Sequence, residues 1–128
     1  MSKKEIFNPA SAPKAIGPYN QVVKVGNLIY TAGQIAIDPA TGNVSQGAIT
    51  EQTRQVIQNL QVLLQSAGSS LDHVIKATVF LKNMNDFSAM NAVYGEFFNP
   101  ATAPARSTIE VARLPKDALI EIEAVAAV

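Results

Sequence analysis

Arg106, Glu121 and Glu123 are charged residues set into the closing run PARSTIEVARLPKDALIEIEAVAAV, whose alternation otherwise reads as buried strand. Only 16% of the 128 residues are charged, against a typical share of about 25%, so charges kept inside such a pattern call for a reason. The run reads as two strands joined around Leu114-Pro115-Lys116-Asp117, and the expected pairing is a hairpin. A register whose paired numbers sum to about 231 puts Arg106, Thr108 and Glu110 on the face of Glu121 and Glu123. That array sets a planar, permanently charged guanidinium beside carboxylates that can accept a proton or hold a water, a chemistry suited to a small carboxylate substrate. Strand arginines and glutamates are more commonly solvated or paired with each other, and spacing alone leaves that alternative open.

Other chemistry-bearing residues are sparse. The chain has no cysteine, which removes thiolate nucleophiles, disulfides and thiolate metal sites. His73 is the single histidine, so one chain can assemble neither a His-based metal cluster nor a Ser-His-Asp triad; its place at a strand entrance after Asp72 fits a surface or capping role. Tyr19 follows a Gly-Pro turn, where it can face a pocket or pack at a strand start. Gly33 interrupts a strand pattern, the mark of a bulge or of a close ligand approach. No phosphate-cradling glycine loop is present.

The elements that must position these residues follow from periodicity. NQVVKVGNLIYTAGQIAI is rich in β-branched residues, with Gly26-Asn27 spaced as a two-residue hairpin turn, and DPATGN is a further turn. Thr50 is expected to cap a helix carrying Val56, Leu60, Leu63, Leu64 and Ala67 on one stripe, stopped by Gly68. HVIKATVFLKN reads as a strand with Ile75, Ala77, Val79 and Leu81 toward the core. Asn85 and Asp86 open a second helix whose Phe87, Met90, Tyr94, Phe97 and Phe98 pack on the sheet, ended by Asn99-Pro100. The order ββ(β)αβαββ predicts an α+β fold, a mixed six-stranded sheet with two helices on one face. On the last strand Ile120, Ile122, Ala124 and Ala126 should face the helices, and Glu121, Glu123 and Val125 the other side. Neighbouring subunits covering that second, mixed face would explain the low charge content.

Size and charge limit the rest. Residues 1–128 are expected to form a single domain large enough to fold without metal or disulfide. Ten basic residues balance ten acidic ones, which gives no positive field to attract nucleic acid or an anionic membrane. The N-terminal stretch breaks into Pro, Ser and Gly where a signal peptide needs an apolar core. No apolar run approaches the ~20 residues that span a bilayer, so a cytoplasmic protein is expected.

Taken together, AIGPYNQ, GNLIYTAGQI, TVFLKNMNDF with MNAVY, and PARSTIEVARLPKDALIEIEA resemble, nearly end to end, the Rid (YjgF) family of reactive imine and enamine deaminases, most of all its RidA branch. The resemblance implies a Rid/chorismate-mutase-like fold and a homotrimer with clefts between subunits. It also implies the activity of a 2-iminobutanoate/2-iminopropanoate deaminase, hydrolysing 2-imino or 2-enamino acids released by pyridoxal-phosphate enzymes to 2-keto acids and ammonia, with no cofactor and no metal. Carried over by position, Arg106 would hold the substrate carboxylate and Glu121 would orient and activate the attacking water. Tyr19, Gly33, Asn91 and Thr108 would line the substrate site. Thr108 stands where the best-known members carry Cys, and Ala32 where they carry Ser, so water, not a thiol, would be the nucleophile. Two other readings, a non-catalytic trimer that binds small carboxylates and an endoribonuclease or translation inhibitor, come from different classes. Neutral charge, 6% aromatic residues and the lack of a histidine pair weigh against the last.

Overall fold

Gly26, at φ 58°, and Asn27 turn the chain between β2 (Val22–Val25) and β3 (Leu28–Thr31), so that Val25 faces Leu28 as a two-residue hairpin requires. In a computed structural model that describes residues 3–128, these strands join β1 (Glu5–Phe7), β4 (Val74–Leu81), β5 (Ala105–Glu110) and β6 (Ile120–Ala127) in one mixed sheet of order β1-β2-β3-β6-β4-β5. Helices α1 (Ile49–Ser66) and α2 (Phe87–Phe97) supply the second layer. This is the expected α+β architecture.

The N-terminal stretch was not expected to be strand, yet Ile6 and Phe7 extend the sheet by pairing with Val23 and Val22. The first helix starts earlier than expected and is not capped by Thr50, which lies inside it. Its entrance is fixed instead by the buried Gln52 amide, which donates to the Ser45 and Gly47 carbonyls while its Oε1 accepts from Leu119 N–H. The helix ends as expected at Gly68, φ 85°, with Ser69 N–H donating to the Leu64 carbonyl and Gly68 N–H to that of Gln65.

The core lies between the helices and one face of the sheet. Val56, Ile57, Leu60, Leu63 and Leu64 of α1 meet Ile29, Val79, Ile120 and Ile122 in one cluster with Met90 and Tyr94 of α2. Ile120, Ile122, Ala124 and Ala126 are buried there as expected. β4 departs from its simple alternation at its start, where a register shift between Val74 and Lys76 leaves Ile75 unpaired. Val74 is therefore buried and Ile75 is 48% exposed, the reverse of the expected facing.

The expected β5–β6 hairpin does not form. α2 carries the chain from β4 to β5 as a crossover, which sets β5 parallel to β4, with Ala77 opposite Arg106. Residues 111–119 then lead back past β4, and β6 enters the sheet between β3 and β4, antiparallel to both. A strand whose whole apolar face is buried belongs at the centre of the sheet, and that demand prevails over the short connection. Rows across the sheet follow from the pairings. Arg106, Ala77 and Ala124 form one row on the helix side, and Ile109, Phe80 and Glu121 form another on the open side. The expectation that Arg106, Thr108 and Glu110 share a face with Glu121 and Glu123 is thus overturned.

Candidate functional site

The site residues fall into two clusters on opposite faces of the sheet. On the open side, Glu121 sits at the wall of a cavity of about 340 Å³ lined in part by Lys14, Tyr19, Gln21, Gly33, Gln34 and Lys116. β3 brings Gly33 there through a bulge. From the Tyr30–Val125 pair to the Gln34–Ile122 bridge, β3 takes one step more than β6, and Ala124 N–H donates to Thr31 Oγ1 at 3.0 Å beside the irregularity. A Cβ on Gly33 would stand 2.8 Å from both Cδ and Oε2 of Glu121, so the glycine is the space the carboxyl group occupies. Of the two readings of Gly33 the bulge is present, and the group that approaches its backbone within the chain is Glu121.

Burial, helped by the nearby Glu123 carboxylate, raises the Glu121 pKa above the ordinary glutamate range. Among the described residues no cation lies within ion-pair distance of Glu121 to offset this. A carboxylate so placed is a stronger base than a solvated one, which suits it to take a proton from water. Tyr19 is 49% exposed at the rim, its hydroxyl accepting from Ile16 N–H. The Gln21 side-chain oxygen is buried in the same cavity lining without a hydrogen-bond partner.

On the helix side, a groove of about 370 Å³ runs between α2 and the start of β5, lined in part by Asn91, Tyr94, Phe98, Pro104 and Arg106. The Arg106 guanidinium lies over the Tyr94 ring, 4.6 Å from its centroid, and 5.6 Å from that of Phe87. Among the described residues no carboxylate pairs with it. Two strand spacings and three residues along the chain direction separate the backbones of Arg106 and Glu121, roughly 10 Å in each direction, with the sheet between their side chains.

The structure therefore brings Tyr19, Gly33 and Glu121 together, and Asn91 and Arg106 together, but not the two sets. Thr108 lies on the helix side two residues beyond Arg106, its buried hydroxyl without a partner. His73 is exposed, with Nδ1 2.8 Å from Ser70 Oγ at the strand entrance. Lys14, Gln21 and Lys116 did not stand out in the sequence. Lys116 lies in a turn where it and Asp117 both adopt φ 55°, a conformation that aspartate tolerates but that a lysine does not announce. The described residues contain no group of three or more His, Asp or Glu side chains able to hold a metal ion, and no helix long and apolar enough to cross a membrane.

A family model described as Endoribonuclease L-PSP matches residues 9–128. A RutC family protein of Pyrococcus horikoshii is 56% identical over 123 residues, which cover 96% of this chain and 97% of the relative. A 2-iminobutanoate/2-iminopropanoate deaminase of Salmonella typhimurium is 49% identical over 118 residues, covering 91% of each. The solved structure of a conserved Rid family protein from Yersinia pestis superposes with a TM-score of 0.95 at 43% identity, covering 98% of this chain and 100% of that one. A family model over residues 9–128, relatives at about half identity over nearly the whole chain and the shared fold together show that the chain belongs to the Rid (YjgF) family.

Proposed function

We propose that this protein hydrolyses small 2-imino acids, and the 2-enamino acids that tautomerise to them, to 2-keto acids and ammonia, at seams where one copy's Arg106 groove meets the Glu121 cavity of an adjacent copy. The observation that carries this reading is that each cluster is half a site: an unpaired guanidinium on one face and an unpaired, partly buried carboxyl group on the other. The Salmonella deaminase, alike over most of its length, supports the reaction class. Exposed apolar side chains on the open face, Ile6, Tyr30 and Ile109, support its coverage by other copies. Two different patches meeting head to tail form a heterologous contact, which closes as a ring when the rotation allows. A homotrimer is such a ring.

In the proposed reaction the Arg106 fork takes the substrate carboxylate through two parallel hydrogen bonds, fixing the C=N carbon. Glu121, ionised, accepts a proton from water as it adds to that carbon and passes it to the imine nitrogen, giving a tetrahedral amino alcohol. It then takes the hydroxyl proton and delivers it to the same nitrogen as the C–N bond breaks, so that ammonia leaves, the C=O bond forms and Glu121 is again ionised. The imine carbon is already electrophilic, and a positioned acid/base group contributes typically about 10²–10⁴-fold. No thiol stands at Thr108, so water is the nucleophile in this reading.

Mixing two inactive variants tests both chemistry and seam. Arg106→Ala and Glu121→Ala should each lose most turnover of dehydratase-generated 2-iminobutyrate while keeping the assembly. Unfolded and refolded together in equal amounts, they should regain activity, because about a quarter of randomly formed seams in a ring then join an intact Arg106 to an intact Glu121. No recovery from well-assembled mixtures rules out the shared site. Binding of 2-oxobutanoate by wild type without turnover of any imine makes the protein a carboxylate sensor instead.

A further inference from the structure

We infer that the rings of Tyr94 and Phe87 form a platform that holds the Arg106 guanidinium by its flat face and thereby aims its N–H edge at the incoming anion. The inference rests on the reading above that Arg106 takes the substrate carboxylate. A long arginine side chain on the outermost strand of a sheet ordinarily samples many rotamers, and each loses entropy when a ligand fixes it. Here two aromatic rings converge on one guanidinium, at 4.6 and 5.6 Å from its carbon. The Tyr94 ring is itself fixed, 6% exposed and stacked on Phe98 with centroids 4.4 Å apart. A guanidinium that lies flat on a ring keeps its in-plane donors available, which is the geometry a bidentate carboxylate needs. α2 supplies both rings, Phe87 and Tyr94 being one i, i+7 stripe on the face turned to β5.

The Tyr94 hydroxyl is buried without a hydrogen-bond partner, so the alternative that it contacts substrate directly has to be separated from the role of the ring. Burial raises the Tyr94 pKa above 10.0, with Arg106 opposing the shift. The phenol is therefore neutral near pH 7, and the guanidinium meets a π face and not a phenolate. Tyr94 and Phe87 are thus positioning residues that act through Arg106.

The test measures 2-oxobutanoate binding by calorimetry, imine turnover, and the Arg106 Nε–H resonance in the unliganded protein. Tyr94→Phe keeps the ring and should bind and turn over like wild type. Tyr94→Leu should weaken binding roughly five- to thirtyfold, the span of a partly to fully desolvated cation–π contact, and should raise KM with kcat within about threefold. It should also remove the ring-current shift of the Arg106 Nε–H signal. Phe87→Leu, at the more distant and less buried ring, should show the same pattern more weakly and stands in if Tyr94→Leu fails to fold. Wild-type affinity in a folded leucine variant overturns the platform, as does an equal loss in Tyr94→Phe. An Arg106→Ala variant that binds as tightly as wild type overturns instead the carboxylate-anchoring reading, leaving the unliganded resonance to report on the stacking itself.

Discussion

Gly33→Ala isolates the role of the Glu121 carboxylate without touching it. The backbone at Gly33 lies outside the left-handed region and accepts alanine, but the new Cβ would stand 2.8 Å from Glu121 Cδ and Oε2. Carbon atoms reach their optimum near 3.5–4.0 Å, so the carboxyl group has to retreat by about 0.7 Å or more. It is the far end of a flexible side chain beside a cavity, and it can move without dragging the strand. The fold should therefore survive with only a small change in thermal midpoint. Catalysis should not, because a misplacement near 1 Å costs on the order of 10²-fold; kcat/KM for 2-iminobutyrate should fall roughly ten- to a hundredfold. Binding of 2-oxobutanoate, which depends on Arg106, should change much less. A double-mutant cycle makes the cause specific, since in a Glu121→Ala background Gly33→Ala should have no further effect on the residual rate. Full activity in folded Gly33→Ala, or an unchanged penalty in the absence of the Glu121 carboxylate, refutes the reasoning.

Glu123→Gln removes the like charge that helps raise the Glu121 pKa, so the acid limb of the kcat/KM profile, expected above the ordinary glutamate range, should move to lower pH. Because the folded pKa of Glu121 is raised, the folded state holds the extra proton between the unfolded and folded values, and stability falls as pH rises through that window; Glu121→Gln should raise the thermal midpoint at pH 7 while abolishing turnover, and no gain would mean the carboxylate carries no penalty. Ile109→Glu places a charge on the open face at a residue 44% exposed in the single chain; light scattering should give three times the 13.6 kDa chain mass for wild type and less for the variant. Asn59→Ala removes a buried amide that donates to the Ile35 and Ile37 carbonyls at 3.3 and 2.9 Å, and urea unfolding should show a loss of about 2 kcal/mol.

Local physics made several elements legible. Gly26-Asn27 set the β2–β3 hairpin, the leucine stripe and Gly68 set α1 and its end, and the apolar alternation of Ile120, Ile122, Ala124 and Ala126 identified the buried face of β6. Two features were not local. The bulge that frees Ile75 depends on how β4 meets β6, and no residue near Ile75 marks it. The neighbour of β5 was misread because alternation specifies which residues share a face of one strand but not which strand lies beside it. Two strands nine residues apart look like a hairpin until the central slot between β3 and β4 claims the more apolar of the two. Gly33 shows the same limit in the site: its missing side chain announced a bulge or a ligand's approach, but only the β3–β6 pairing names Glu121 as the side chain that takes the space.

That insertion of β6 has a chemical consequence. With β6 beside β5 and the expected register, Arg106 and the two glutamates would share a face, and Glu123, diagonal to Arg106 across the pair, would compete with a substrate carboxylate for the guanidinium. With β4 between them and their side chains on opposite faces, neither group meets the other within a chain. The guanidinium lies over the Tyr94 ring with no carboxylate partner among the described residues, and the carboxyl group sits half-buried near a second acid. Each arrangement is less favourable than an ion pair with desolvation matched, and each keeps its group available for a ligand. In the proposed site, a topology that separates them in one chain lets a seam between two chains present both to a small anion.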